Sequence, residues 1–488
     1  MTIWINNPFD FLPGEGARLQ RYGLLAQALA QAGHRVIWWS SDWDHFKKEE
    51  RTPRQGEAVP EQTPRQGEAV PEQTPRQGEA VPGPEIRLIK TMPYYQNVGV
   101  RRLVSHWLYA KRWERMALRC DPADRPDLII CSAPPLSTGW VMRGLCKHFE
   151  CRGVVDVMDL WPETFERVAP AWMLWPLRWM AKRVYQGADA ISAVGDSYLE
   201  AVKKQYQSAV AVGSGEERGK KKEETPRQGE AVPRRTPRQG EAVPGEKPMY
   251  RCYHGIEKVA VGSTSRQLGQ GGAVAVGSSS RQLEEGMPTA DCQPPTANLK
   301  LVYVGNMGRG YDLGTLVGAV AELSEEGVSI SLDLAGSGEQ EAALQKLAHA
   351  TQSIAFHGVV TGDALCALLQ QADLGVVPMF PNTHVAVPYK LADYVAAGLP
   401  VVNSLAGETA LLLEQYACGW QYEAGSLASL KQVLKEVCEL KQSEAGAFEA
   451  RGRNAKRLAE ECFDAARIYP AFVAFLLPLS GSKGVVKR

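Results

Sequence analysis

Two short stretches hold the residues with the most chemistry to offer. VYVGNMGRGYDLGTLVGAV (302–320) takes an apolar strand through a glycine-rich turn, with Gly305, Asn306, Gly308 and Arg309, into a helix. Exposed backbone N–H groups, a helix N-terminus and a guanidinium together suit a diphosphate. VPYKLADYVAAGLPVV (387–402) sets Lys390 and Asp393 one turn apart at the start of a helix, ahead of Gly398 and Pro400. A cation there meets phosphate, and an acid one turn on accepts ribose hydroxyls. Singly, each stretch reads equally well as a glycine turn with a solvated arginine or as a surface Lys–Asp pair. Together, in one domain and at the ends of two strands, they point to a nucleotide-diphosphate site.

Other chemistries lack their residues. The eight histidines show no HxH or HxxxH spacing, so no metal cluster is expected. There is no G-x-S-x-G nucleophile elbow and no P-loop. LAGSGEQE (334–341) follows a strand and opens a helix, but Glu341 stands where a dinucleotide fingerprint needs its third glycine. A tight strand-to-helix turn is the expectation there. Zero formal net charge gives no argument for nucleic acid as a partner. Ten scattered cysteines without a CxxC pair suggest reduced thiols and a cytoplasmic protein. The first residues lack the basic start and apolar run of a signal peptide, and no apolar stretch is long enough to span a bilayer.

The elements that must position these residues are β-α alternations, written twice. In the first half the strands read TIWIN, HRVIWWS, IRLIK, DLIICSA, GVVDVMD, DAISAVG and MYRCYHG. Helices are predicted between them, near 99–119, 136–149 and 175–186 among others. The second half reads LKLVYVGN, SISLDLAG, SIAFHG, LGVVPM and LPVVN, with helices from Asp312, Glu339 and Asp363 and another near 389–397. Continuous apolar strands between amphipathic helices mean parallel sheets buried on both faces. Two α/β domains of Rossmann-like type are expected, with a ligand cleft facing the carboxyl ends of their strands.

TPRQGEAVP interrupts this scheme five times, at 52–60, 63–71, 74–82, 225–233 and 236–244. Its recurring prolines forbid a helix and its apolar content is too low for a core, so disorder is expected. VAVGSTSRQL (259–268) returns as VAVGSSSRQL (274–283). The expected division is a first domain over 1–257 with insertions at 51–84 and 207–247. A low-complexity linker follows over 258–297, then a second domain over 298–465 and a C-terminal helix and tail over 466–488. Without the low-complexity blocks about 370 residues remain, a size for two α/β domains.

The ordered set of motifs resembles family 4 of the glycosyltransferases, the retaining group with two Rossmann-like domains known as the GT-B fold. The resemblance covers LVYVGNMGRGYDL, LAGSGEQEAAL, IAFHGVV, LLQQADLGVVPM and PYKLADYVAAGLPVV in the second domain. In the first it covers PGEGARLQRYGLLAQALAQAGHRV, VVDVMDLWPE and YHGIE. DLWPE and GNMGR look most like bacterial members that build surface polysaccharides. The chain departs from the pattern in places. The family's paired glutamates fall on Val385 and Asp393, its arginine after the strand glycine on Asn306, and its following lysine on Arg309. A histidine common before Asp159 is Met158, and PNG before the linker is Tyr253-His254-Gly255.

The resemblance implies a retaining, metal-independent hexosyltransferase that moves a sugar from a nucleotide-diphosphate sugar to an acceptor hydroxyl. No cofactor or metal is implied, since protein cations neutralise the leaving diphosphate. Arg309, Lys390 and the 305–310 turn take that task, Asp393 the ribose, and the backbone at Gly358 and Val359 the base. Gly14 and Gly16 let the first domain's loop approach donor and acceptor, and Asp159 lies near the sugar. Trp161 and Glu163 are candidates for the acceptor side; Glu163 reads equally as a solvated loop acid or helix cap. AWMLWPLRWMAKRVY (171–185) and RRLVSHWLYAKRWERM (101–116) mix tryptophan with basic side chains. Such a surface suits peripheral contact with the inner face of the plasma membrane and a saccharide or lipid-linked acceptor; the alternative is core packing with snorkelling cations. Two other functions stay open: a nucleotide-sugar epimerase of the same fold, and a degenerate transferase kept as a scaffold.

Overall fold

The computed structural model describes residues 1–15, 18–51, 83–95, 99–166, 169–204, 247–256, 299–349, 351–381 and 383–480. All copies of both repeats lie outside these residues, as does the expectation of disorder attached to them.

The first sheet has seven strands: β1 (Thr2–Asn6), β2 (Arg35–Ser41), β3 (Glu85–Ile89), β4 (Leu128–Ala133), β5 (Arg152–Val157), β6 (Ala190–Ala193) and β7 (Met249–Arg251). Their spatial order is β3-β2-β1-β4-β5-β6-β7, and every pair is parallel. The second sheet has six: β8 (Leu299–Val304), β9 (Ile330–Ala335), β10 (Ile354–Phe356), β11 (Leu374–Val377), β12 (Val401–Asn403) and β13 (Gly419–Gln421). Their order is β10-β9-β8-β11-β12-β13, again all parallel. Strands such as LIICSA and LGVV are buried throughout because helices cover both faces. The order reverses between β1 and β4 and between β8 and β11, so each sheet opens a crevice at those carboxyl ends.

The chain is anchored between its halves at several points. Ile256 N–H donates to the Phe463 carbonyl at 2.8 Å, and Ala465 N–H donates back to Ile256 at 3.0 Å, so the two crossings run side by side. The helix Ala465–Leu476 then returns to the first domain, where Tyr469, Phe472 and Leu476 join a core with Leu25, Leu29 and Trp38. Glu408, opening a helix of the second domain, accepts from the backbone N–H groups of Asp196 and Ser197 at 3.0 and 3.1 Å and from Tyr253 at 2.7 Å. It thereby caps the first domain's helix Asp196–Val202 from across the cleft.

Three local features depart from the sequence reading. The tryptophan-rich helix begins at Ala171 rather than near 175 and carries Pro176 within it. The edge strand β13 is three residues long and half exposed, too short for a periodic signal. Arg51 belongs to the fold, not to the repeat block. Its buried side chain binds Glu15 at 2.9 Å, Ser40 at 3.1 Å and the carbonyls of Ser41 and Asp10 at 2.8 and 2.7 Å. The nine described cysteines are all free thiols. Among the described residues no helix is long and apolar enough to cross a membrane.

Candidate active site

In the second domain three glycine turns lie edge to edge at the carboxyl ends of β8, β9 and β10. Gly305 N–H donates to Ala335, Met307 N–H to Ser337 and Gly336 N–H to Gly358. A Cβ on Gly336 would stand 1.9 Å from the Gly305 carbonyl oxygen, and φ of +135° there favours glycine. LAGSGEQE therefore lets two turns touch through their backbones. Gln340 completes the joint by donating to the carbonyls of Gly308 and Tyr311 at 2.6 and 3.0 Å.

Lys390 enters this joint from the helix Tyr389–Ala396, which follows β11 across the crevice. Its ammonium lies 3.9 Å from the Tyr303 ring centre and 3.8 Å from that of Tyr311. A Cβ on Gly305 would stand 3.3 Å from its Nζ. The side chain is buried and Nζ has no hydrogen-bond acceptor among the described residues. Burial pushes its pKa well below the ordinary lysine value. Two ring faces offset part of that cost. An anion resting on the Gly305 turn would supply the rest.

Asp393 faces the first domain, in an ion pair with Arg18 at 2.7 Å. Burial raises its pKa, and Arg18 opposes the rise. Both residues border a cavity of about 310 Å³ whose apolar wall includes Leu365, Leu369, Ala396 and Ala397. Lys390, Arg309 and the Gly305 turn are not on that wall. Arg309 projects into solvent, with its side chain 88% exposed, and pairs with Glu339 at 2.8 Å. Gly305 thus lies beside Lys390, Asn306 and Gly308 continue the turn away from it with Asn306 exposed, and Arg309 stands at the rim. Gly358 is at φ +63° and Val359 is exposed.

On the first domain Gly14 has φ +85°. Gly16 lies outside the described residues. Asp159 follows β5 and accepts from the Thr164 hydroxyl at 2.9 Å. Burial raises its pKa to about 6, against the lowering effect of Thr164 and of Arg102. Trp161 is buried. Glu163 is buried too, 3.9 Å from Arg178, so it is not a solvated loop acid. Among the described residues no group of three or more His, Cys, Asp or Glu side chains is placed to hold a metal.

Sequence reasoning missed several residues of this region. Arg18 carries no local signal, because only the fold brings it to Asp393. Tyr303 and Tyr311 lay in a flagged segment, but their role appears only once Lys390 is seen between them. His254 stacks on Tyr389 at 3.6 Å between ring centres, which seats YHG against the lysine's helix.

Residues 298–439 match the family model described as glycosyl transferases group 1. Over 165 residues the chain is 24% identical to the "Putative colanic acid biosynthesis glycosyltransferase WcaL" of Escherichia coli K12. That match covers 33% of this chain and 41% of the relative, so it spans about two fifths of the relative's length. The fold is that of several solved structures. Sucrose-phosphate synthase from Thermosynechococcus elongatus superposes with a TM-score of 0.62 at 13% identity, over 98% of each chain. Anabaena HepE in complex with UDP-glucose gives 0.54 at 12% identity, over 98% of this chain and 99% of that one. WaaG, a glycosyltransferase involved in lipopolysaccharide biosynthesis, gives 0.53 at 13%, over 99% and 100%. The two parallel sheets are thus those of the GT-B fold.

Proposed function

We propose that the protein transfers a sugar from a nucleotide-diphosphate sugar to an acceptor hydroxyl with retention of configuration, in the synthesis of a cell-surface polysaccharide or glycolipid. The observation that carries this reading is Lys390: a buried amino group with no acceptor among the described residues, beside a glycine turn, at the switch point of the domain that matches the group 1 model. A diphosphate on that turn accepts from the ammonium and from backbone N–H groups. As the bond from the sugar's anomeric carbon to the diphosphate breaks, charge grows on the β-phosphate, and fixed donors there lower the barrier. The acceptor oxygen bonds to the anomeric carbon on the face the diphosphate leaves. The acceptor's proton passes to a phosphate oxygen. No metal or cofactor is required by this scheme, and activity should survive a chelator.

Asp393 bonds the ribose, which means that Arg18 shares or yields it when donor binds. The base meets the backbone at Gly358 and Val359, beyond the carboxyl end of β10. The UDP-glucose in HepE makes UDP-sugars the first donors to test. A thermal-shift panel of UDP-, GDP- and ADP-sugars, followed by an assay of diphosphate release, tests the proposal. Release that depends on an added acceptor supports transfer. An epimerised donor, or no binding by any nucleotide sugar, refutes it.

The acceptor side faces an anionic membrane surface, at the inner face of the plasma membrane. Trp172 and Trp175 are 76% and 67% exposed, and Trp179 and Trp140, with ring centres 5.4 Å apart, extend the patch onto a neighbouring helix. Exposed Lys182 and Arg183 border it. Out-facing aromatic rings with cations fit a headgroup layer. Flotation with anionic vesicles checks this: protein left at the bottom of the gradient rules the contact out.

A further inference from the structure

Arg18 reaches Asp393 from the other domain, and the pair bears on how a ribose is held. Arg18 stands on the loop between β1 and the helix Arg21–Gln31. Both flanks of that loop are tied down. Glu15 accepts from the Arg51 guanidinium at 2.9 Å and from the Leu12 N–H at 2.7 Å, and Arg21 is bound to Asp156. Arg18, between these anchors, spans the cleft with its Nη2 2.7 Å from Asp393 Oδ1. Its side chain is 35% exposed and that of Asp393 only 13%, so the acid sits in the cleft wall and the guanidinium at its edge.

Burial pushes the Asp393 carboxyl up, and Arg18 opposes the rise. Other titratable groups lie around the acid. Cys366, Lys456, Glu460 and Asp464 border the same cavity. Asp464 caps the last helix by accepting from Ala466 N–H at 3.0 Å. Tyr394, on the same helix as Asp393, is turned to the sheet, where its hydroxyl accepts from Val304 N–H at 2.9 Å. A carboxylate offers about four acceptor positions on its two oxygens, and all of them only while it is ionised. One guanidinium contact leaves positions for two hydroxyl donors. A guanidinium that left would strand the acid in an apolar wall, where the neutral form is favoured.

We propose that Arg18 is a positioning residue for the nucleotide: it stays on Asp393 while the ribose hydroxyls bond the remaining lone pairs, so the ribose site is complete only where the two domains meet. The role rests on the transfer reading, which gives Asp393 the ribose; Arg18 then shares the acid rather than yielding it.

Isothermal titration of the full chain with UDP, GDP and ADP, and with the analogue of the tightest binder that lacks both ribose hydroxyls, tests this role. Arg18→Gln should weaken the nucleotide about tenfold in mildly acidic buffer. The ratio between the two chains should shrink as pH rises, because the unopposed carboxyl then ionises without help. For the analogue the ratio should stay near unity. Arg18→Lys keeps the charge and should recover most of the affinity. A ratio that ignores pH, or that is the same for the analogue, makes Arg18 a loop support or a direct phosphate contact and overturns the proposal. Tighter binding by Arg18→Gln, the mark of a guanidinium that competes with ribose, overturns it too, as does Arg18→Lys binding no better than Arg18→Gln. Asp393→Asn separates the two readings: it should weaken the nucleotide and make Arg18→Gln neutral. If Asp393→Asn costs nothing while Lys390→Met abolishes binding, the ribose role falls and the transfer reading stands. A parent chain that binds none of the three diphosphates refutes the transfer reading and this role with it.

Discussion

Arg21 and Lys390 are both basic side chains sealed inside the protein, and their surroundings differ in one respect. Arg21 is saturated. It bonds Asp156 through two nitrogens at 2.7 and 2.8 Å and the carbonyls of Cys252 and Tyr253 at 2.5 and 3.1 Å. Asp156 also accepts from Tyr22 at 2.7 Å and Ser192 at 2.6 Å. That network joins a helix, β5, β6 and the exit of β7 without a vacant lone pair at its centre. Lys390 has two ring faces and, among the described residues, no acceptor. A buried charge costs free energy unless it is paired. A completed pair holds a fold together, whereas an incomplete one is tolerated where a ligand completes it.

Four experiments break or sharpen that contrast. Asp156→Asn should have the largest effect. It strands a buried guanidinium and should lower unfolding free energy by about 3–5 kcal/mol, read by denaturant titration. Burial raises the Asp156 pKa, but Arg21 and its hydrogen bonds win and lower it. Its stabilisation is therefore present above the unfolded carboxylate pKa and is lost as pH falls through the folded value, so the two chains should converge in acid. Lys390→Met should act in the opposite way. Burial depresses this lysine, so its cost grows as pH falls below the unfolded lysine pKa. At neutral pH the methionine chain should be as stable as the parent or more so, while kcat drops about 10²–10³-fold. In the parent, donor binding should take up a proton, seen as a dependence of the titration heat on buffer ionisation.

Arg309→Ala comes third. The guanidinium is exposed and paired with Glu339, so stability should not change measurably and kcat should fall only about tenfold. A loss as large as that of Lys390→Met would move the main phosphate contact to the rim. The smallest effect belongs to replacing 52–82 by a short Gly/Ser linker, which should leave melting temperature and transfer nearly unchanged. The cut must spare Arg51. Extending it through that residue removes buried bonds to Ser40, Ser41 and Asp10 and should destabilise the chain.

Local patterns made much of this molecule legible. Apolar runs such as DLIICSA gave strands because a parallel sheet buries both faces, and Asp312 caps its helix at Thr315 as its type suggests. Gly305 and Lys390 were identified in the sequence because turn chemistry and helix starts are short-range. Exposure was not legible. AWMLWPLRWMAKRVY has the same composition as a core helix, and only packing against the helix Leu136–Phe149 determines that Trp172, Trp175 and Trp179 face outward.

The sequence by itself determined two parallel α/β domains, the glycine turn and the lysine beside a candidate phosphate. Each is encoded within a few residues, where φ/ψ preference and periodicity act. Tertiary structure alone decided which charges are satisfied: Arg21 meets Asp156 from 135 positions away, while Lys390 meets two tyrosine rings. It also brought Arg18 to Asp393 and returned the last helix to the first domain. Partners distant in the chain leave no local pattern, because burial and pairing are properties of the packed whole.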